Sequence, residues 1–222
     1  MSRREAHLVG GTRSEAVRLA PVALAMREAG LLEPVLLTGG PHATTVTGAL
    51  AEFGLEPDIT LPAEPSTDGR AEQLTAMIRE LDELWSVRTP AAVIVQGDTV
   101  TSLAGALAAF WRRVPVVHLG AGLRSGDLES PFPGESDHRL LAQVAALHLT
   151  ATPLAAMNLL DEGIPAGDVL VTGDTLTAGG RPYGDGLAAG RTAQATAALL
   201  GLAPAPEALP VTPHTADAIL NG

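Results

Sequence analysis

Three short stretches carry the residues whose types and spacing could do chemistry. In "GGTRSEAVR" (10–18), glycines end an apolar run and Arg13 stands ahead of a helix-like pattern. Backbone N–H groups at a helix start attract phosphate, and a guanidinium adds a fixed bidentate fork. The same residues also fit an ordinary turn, with Ser14 as the N-cap and Arg13 in water. In "VIVQGDT" (93–99), Asp98 sits where a strand meets a helix, either as an N-cap or as a rim carboxylate able to act as a base. In "HLGAGLRSGD" (118–127), Arg124 and Asp127 lie in a glycine-punctuated loop whose composition fits an ordinary turn, while its length leans towards a functional role. His148 in "HLT" and His214 in "VTPH" add imidazoles that also read as filler.

Those stretches need elements to hold them. Apolar runs at 6–11, 33–40, 58–61, 91–99, 114–119 and 168–175 read as strands. Helical spacing predicts helices over 14–30, 44–54, 70–88, 101–113, 139–150 (ending in a strand) and 153–163. Residues 62–69 read as a loop. Short continuous apolar strands alternating with helices imply a doubly wound parallel sheet in an α/β fold. Ligands bind at the carboxyl ends of such strands. The polar endings "GGTR", "TGG", "QGDT" and "HLGAGLR" should therefore converge on one rim. After Thr175 the texture becomes Gly-, Ala- and Pro-rich, with a helix near 191–200 and a short strand near 208–212. The expected division is 1–175 as the main domain and 176–222 as a linker and remnant.

Composition narrows the class. Hydrophobic residues make 46% of the 222, which supports a sizeable core. Aromatics are only 3%, so Ala, Leu and Val must build that core. The formal net charge of −11, with no basic cluster, argues against nucleic acid. With no cysteine there are no disulfides or thiolate metal sites, and the six histidines show no ligand spacing. No metal or cofactor is expected. No apolar stretch has the length of a membrane span, and the start lacks a signal-peptide pattern, so a soluble cytoplasmic protein is expected.

Taken in order from Gly11 to Ala178, the motifs resemble one family. "GTRSEAVRLAPV" is similar to G-T-R-P-E-A-[IV]-K-x-A-P, and "TGGPH" to T-G-Q-H. "VQGDTVTSLAGALAAF" is similar to V-x-G-D-T-x-[ST]-x-x-A-x-x-A-[AF]. "HLGAGLRSGD…PFPGESDHR" resembles H-[VL]-E-A-G-L-R-[ST]-x-[DN]…P-E-E-x-N-R, and "VLVTGDTLTA" resembles V-x-x-T-G-N-T-x-x-D-A. The family is the non-hydrolysing UDP-N-acetylglucosamine 2-epimerases. The resemblance implies a Rossmann-like N-terminal domain of a GT-B fold, with most of a second, nucleotide-binding domain missing. It implies inversion at C2 of UDP-GlcNAc to give UDP-ManNAc, by elimination of UDP and its re-addition. It implies catalytic roles for Asp98, Glu135 and His214, and substrate binding by Arg13, Arg18 (lysine in the family) and Arg124.

The departures from the pattern bear on activity. Gly120 stands where E-A-G-L-R has its glutamate. In "PFPGESDHR", one residue longer than the family's P-E-E-x-N-R, either Gly134 takes the place of the first acid or Glu135 does. Asp174 replaces an asparagine. The alternative expectation is a catalytically inactive relative that binds a sugar nucleotide weakly or needs a complementing chain; a homodimer would also cover the rim. A different GT-B activity, such as a glycosyltransferase or a hydrolysing epimerase, is a third reading.

Overall fold

Strand residues alternate between two cores. The computed structural model describes residues 4–40, 42–62, 69–176 and 184–209. Seven parallel strands run in the order β3-β2-β1-β4-β5-β6-β7: β1 Arg4–Gly10, β2 Leu32–Thr38, β3 Ile59–Thr60, β4 Ala92–Gln96, β5 Val116–Leu119, β6 Leu147–Thr150 and β7 Val169–Val171. Helices α1 Arg13–Ala29, α2 Ala43–Ala51 and α7 Ala188–Leu199 share one core with Leu8, Leu36, Ile94 and Val117. Helices α3 Arg70–Val87, α4 Val100–Trp111 and α5 Gly134–Val144 share the other with Val9, Val35, Val93, Val95 and Val116. Neighbouring residues on one strand thus serve opposite faces, as a pleated strand buried on both sides requires. Helix α6, Pro153–Asp161, makes the crossover between β6 and β7.

The expected doubly wound sheet is what the chain forms, with differences at the edges of elements. The helix expected over 139–150 starts at Gly134, and its tail from Leu147 becomes β6. Thr12, not Ser14, caps α1, its Oγ1 accepting from the Glu15 N–H. Thr99, not Asp98, caps α4, its Oγ1 accepting from the Ser102 N–H at 3.1 Å. In the region after Thr175, Ala193, Ala195 and Ala197 of α7 join the core of the α1 face. Of the strand expected near 208–212, only the start is described: Leu209 N–H donates to Val171 O at 2.8 Å.

Buried polar pairs fix the layers. Trp85, fully buried on α3, donates its Nε1–H to Nδ1 of His7 on β1 at 3.0 Å. An imidazole whose Nδ1 accepts carries its proton on Nε2, which faces Glu5 Oε2 at 3.0 Å. Burial pushes the His7 imidazole below its ordinary pKa, against the pull of Glu5. The Arg88 guanidinium, with His7 assisting, holds the Glu5 carboxyl down to about 2.

His118 on β5 is fully buried, its Nε2 2.9 Å from Gly97 O. Burial, aided by the neighbouring His138, lowers it to about 3. An unfolded histidine takes a proton near pH 6.5, so between that pH and about 3 the unfolded chain binds more protons than the folded one. Stability therefore falls as pH drops through that window. Urea unfolding at pH 5 should show a midpoint clearly below that at pH 7, a loss of about 2 kcal/mol from this histidine alone. His118→Gln should flatten the dependence.

Candidate functional site

The strand order reverses direction between β1 and β4, and the crevice outside their carboxyl ends is where such sheets place ligands. A cavity of about 420 Å³ opens there. Its walls come from the β1–α1 turn (Thr12, Ser14, Glu15, Arg18), the β4–α4 turn (Gln96 to Thr99), the end of β5 (Leu119 to Ala121), His138 of α5, and Gly173 to Thr175 after β7. Three of the four expected rim segments meet at it. Residues 38–40 of "TGG" are not part of its lining.

One buried carboxylate builds the floor. Glu15, 1% exposed, faces Gly11 N at 2.9 Å, Thr12 Oγ1 at 2.9 Å, Thr99 Oγ1 at 2.5 Å and Ser102 Oγ at 2.7 Å. Ser102 Oγ also lies 2.6 Å from Gln96 O and has one proton to divide between the two acceptors. Thr12 and Glu15 form a reciprocal cap at the start of α1, and Thr99 and Ser102 start α4. A single side chain thus ties together the two turns that flank the switch point. The signal for Glu15 in the sequence is its T-x-x-E spacing from Thr12.

The six residues singled out from the sequence divide. Arg18 and Asp98 line the same cavity. Arg18 donates to Ser14 Oγ at 2.8 Å, and its Nε lies 3.5 Å from Asp174 Oδ1. Asp98 is partly exposed. Arg13 is not among the lining residues: it is exposed, with its fork on Glu52 at 2.6 and 3.2 Å. Arg124 is nearly buried and turned to Glu162 through two bonds of 2.7 and 2.6 Å, with a third to Leu123 O. Glu135 is buried outside the cavity, accepting from Ser125 N–H at 2.7 Å and Arg139 Nε at 2.8 Å. Those bonds hold its carboxyl below the usual range even though burial opposes them. His214 lies outside the described residues.

The structure also explains what stands at the two glycines. Gly120 has φ +74°, a left-handed conformation that side chains disfavour, and a Cβ there would come 3.2 Å from Gln96 Nε2. At Gly134 a Cβ would overlap Asp98 Oδ2, so the Asp98 carboxylate occupies space that any side chain at 134 would claim. His138, four residues on, puts Nε2 4.0 Å from the same Oδ2. His138 carries no spacing signal in the sequence that would mark it as a site residue. His148 is a buried structural group, its ring nitrogens 3.1 and 3.0 Å from Asp168 O and Ala142 O. Among the described residues no group of three or more His, Asp or Glu could hold a metal ion. No described helix is long and apolar enough to cross a membrane.

This crevice, floor and rim belong to a chain with known kin. The family model described as UDP-N-acetylglucosamine 2-epimerase matches residues 24–179. The chain belongs to that family. The UDP-N-acetylglucosamine 2-epimerase of Bacillus subtilis is 35% identical over 175 residues, covering 79% of this chain and 46% of that protein. That of Escherichia coli is 34% identical over 168 residues, covering 76% and 45%. Among solved structures, the UDP-GlcNAc 2-epimerase of Neisseria meningitidis bound to UDP-GlcNAc is 34% identical with a TM-score of 0.74, covering 78% of this chain and 47% of that one. The chain thus spans about half the length of the epimerases it matches.

Two measurements check this account of the site. Glu15→Ala strands several buried donors and should cost about 2–4 kcal/mol in urea unfolding, whereas Glu52→Ala, at the exposed Arg13 pair, should leave the midpoint in place. Gly134→Ala meets only the free end of the half-exposed Asp98 side chain, and alanine is the better helix former, so the urea midpoint should move by less than about 1 kcal/mol.

Proposed function

We propose that the crevice at the β1/β4 switch point binds UDP-GlcNAc or a closely related sugar nucleotide, and that the chain serves C2 epimerisation to UDP-ManNAc. The observation that carries this reading is one cavity holding both Arg18 and Asp98 in a chain of the epimerase family. Inversion at C2 needs a base for the carbon-bound proton, an acid to return it on the other face, and cations for the departing diphosphate. Asp98 is the cavity carboxylate without a hydrogen bond among the described residues, which suits a base. Arg18 is the cavity's guanidinium, available to a diphosphate in exchange for Asp174. Arg13 and Arg124 would serve as further cations only after leaving Glu52 and Glu162. Glu135 supports the loop through Ser125 rather than meeting the sugar directly, and His214 would join from the region beyond α7. A cytoplasmic setting, and a second copy or complementing chain over the rim, complete the proposal.

A second reading is binding without turnover. It is favoured by Gly120, which stands where the family pattern has an acid and whose φ of +74° disfavours any side chain. Loss of one general acid or base typically costs about 10²–10⁴-fold in rate.

Isothermal titration should show heat with UDP-GlcNAc and UDP, and Arg18→Ala should weaken binding about tenfold. Absence of binding to the wild-type chain would overturn the reading. Incubation with UDP-GlcNAc in deuterated water separates the two versions: deuterium at C2 marks turnover, and binding without it marks a silent site.

A further inference from the structure

The cavity contains an imidazole that the family pattern does not supply. His138 lies on the first turns of α5, one residue before Arg139, in the stretch where P-E-E-x-N-R has asparagine ahead of its arginine. It lines the same cavity as Asp98 and is 7% exposed. Its Nε2 is 4.0 Å from Asp98 Oδ2, and its Nδ1 is buried with no hydrogen-bond partner among the described residues. Its ring rests against that of His118, with centroids 5.8 Å apart. Gly134, one turn earlier on the same helix, leaves open the volume that the Asp98 carboxylate fills. The helix that lacks an acid at its first residue therefore brings a base at its fifth, against the same aspartate.

We propose that Asp98 and His138 form a coupled proton-carrying pair, the second proton group of the cavity where Gly120 and Gly134 leave none. The pair itself stands on this geometry; its use on a sugar nucleotide rests on the function proposed above. An adjustment of about 1 Å brings Nε2 and Oδ2 into hydrogen-bond range, a change common when a ligand closes a site. A proton taken up by the Asp98 carboxylate then passes to the lone pair of Nε2. Asp98 is left ionised and His138 becomes an imidazolium. Nδ1 carries its hydrogen before and after the transfer, so the change is the new charge at Nε2, and burial of that charge favours return of the proton. Burial accordingly lowers the His138 pKa; Asp98 and Glu135 raise it, and Arg124 lowers it further. His118, the other group against the ring, stays neutral over the working range because its own pKa is about 3. Asp98 is thus the strongest opposing influence on a ring otherwise pushed towards neutrality.

The test is long-range ¹H–¹⁵N NMR of the full chain labelled in histidine, from pH 4 to 8, with His138→Gln to assign the resonance. In Asp98→Asn the His138 midpoint should fall by about one pH unit, a tenfold loss of proton affinity. A midpoint that moves by less than about 0.2 overturns the pair. Should Asp98→Asn fail to fold, the wild-type chain labelled at the aspartate carboxyl carbons gives the same answer. The Asp98 resonance should show an inflection at the His138 midpoint, and a curve without one overturns the proposal. Neither measurement needs a ligand, so failure to bind UDP-GlcNAc would remove the proposed function and leave the coupling intact, and the reverse.

Discussion

The structure of the rim depends on the buried carboxylate of Glu15. A doubly wound sheet opens a crevice at its switch point because the helices after β1 and β4 leave on opposite faces. Nothing in that topology fixes the distance between the two turns. Glu15 does so, by accepting from Gly11 and Thr12 on one side and from Thr99 and Ser102 on the other. A buried carboxylate is tolerable only when its lone pairs are filled, and here the donors include the N-caps of both helices, Thr12 and Thr99. The same carboxylate therefore ties the starts of α1 and α4 together across the cavity floor. Asp98 is held at the edge of that cavity because Thr99 beside it has taken the capping role and leaves the aspartate free to face the opening.

The reach of the sequence is clear in particular places. Continuous apolar runs such as "AAVIVQ" and "VPVVHL" announce strands buried on both faces, and the parallel sheet follows from their alternation with helices. Motif order brings in the family, and Arg18 and Asp98 do share a cavity. What the sequence does not carry is the partner of each charged group. Arg13 and Arg124 read as free cations, yet Glu52 lies 39 residues from the one and Glu162 lies 38 from the other. Pairings at that separation are set by packing of whole elements and leave no local spacing. The displacement in "PFPGESDHR" is similar. Only in three dimensions does Gly134 abut Asp98 while Glu135 turns away to Ser125 and Arg139.

The two glycines differ in what surrounds them. At Gly120 the backbone has φ +74°, a conformation that resists a side chain, and at Gly134 the Asp98 carboxylate lies where a Cβ would stand. A side chain at 134 would have to turn the free end of Asp98 aside, whereas one at 120 would meet a backbone that disfavours it.

The pairing of the arginines has a consequence for how any anion arrives. Arg13, Arg18 and Arg124 are each matched with a carboxylate, so their fields cancel beyond short range. What a diphosphate senses from afar is the overall formal charge of −11. Encounter is thus uphill until the ligand is close enough to exchange one carboxylate for one phosphate, arginine by arginine. Added salt, which slows association at most anion sites, would here quicken the approach by shielding the repulsion.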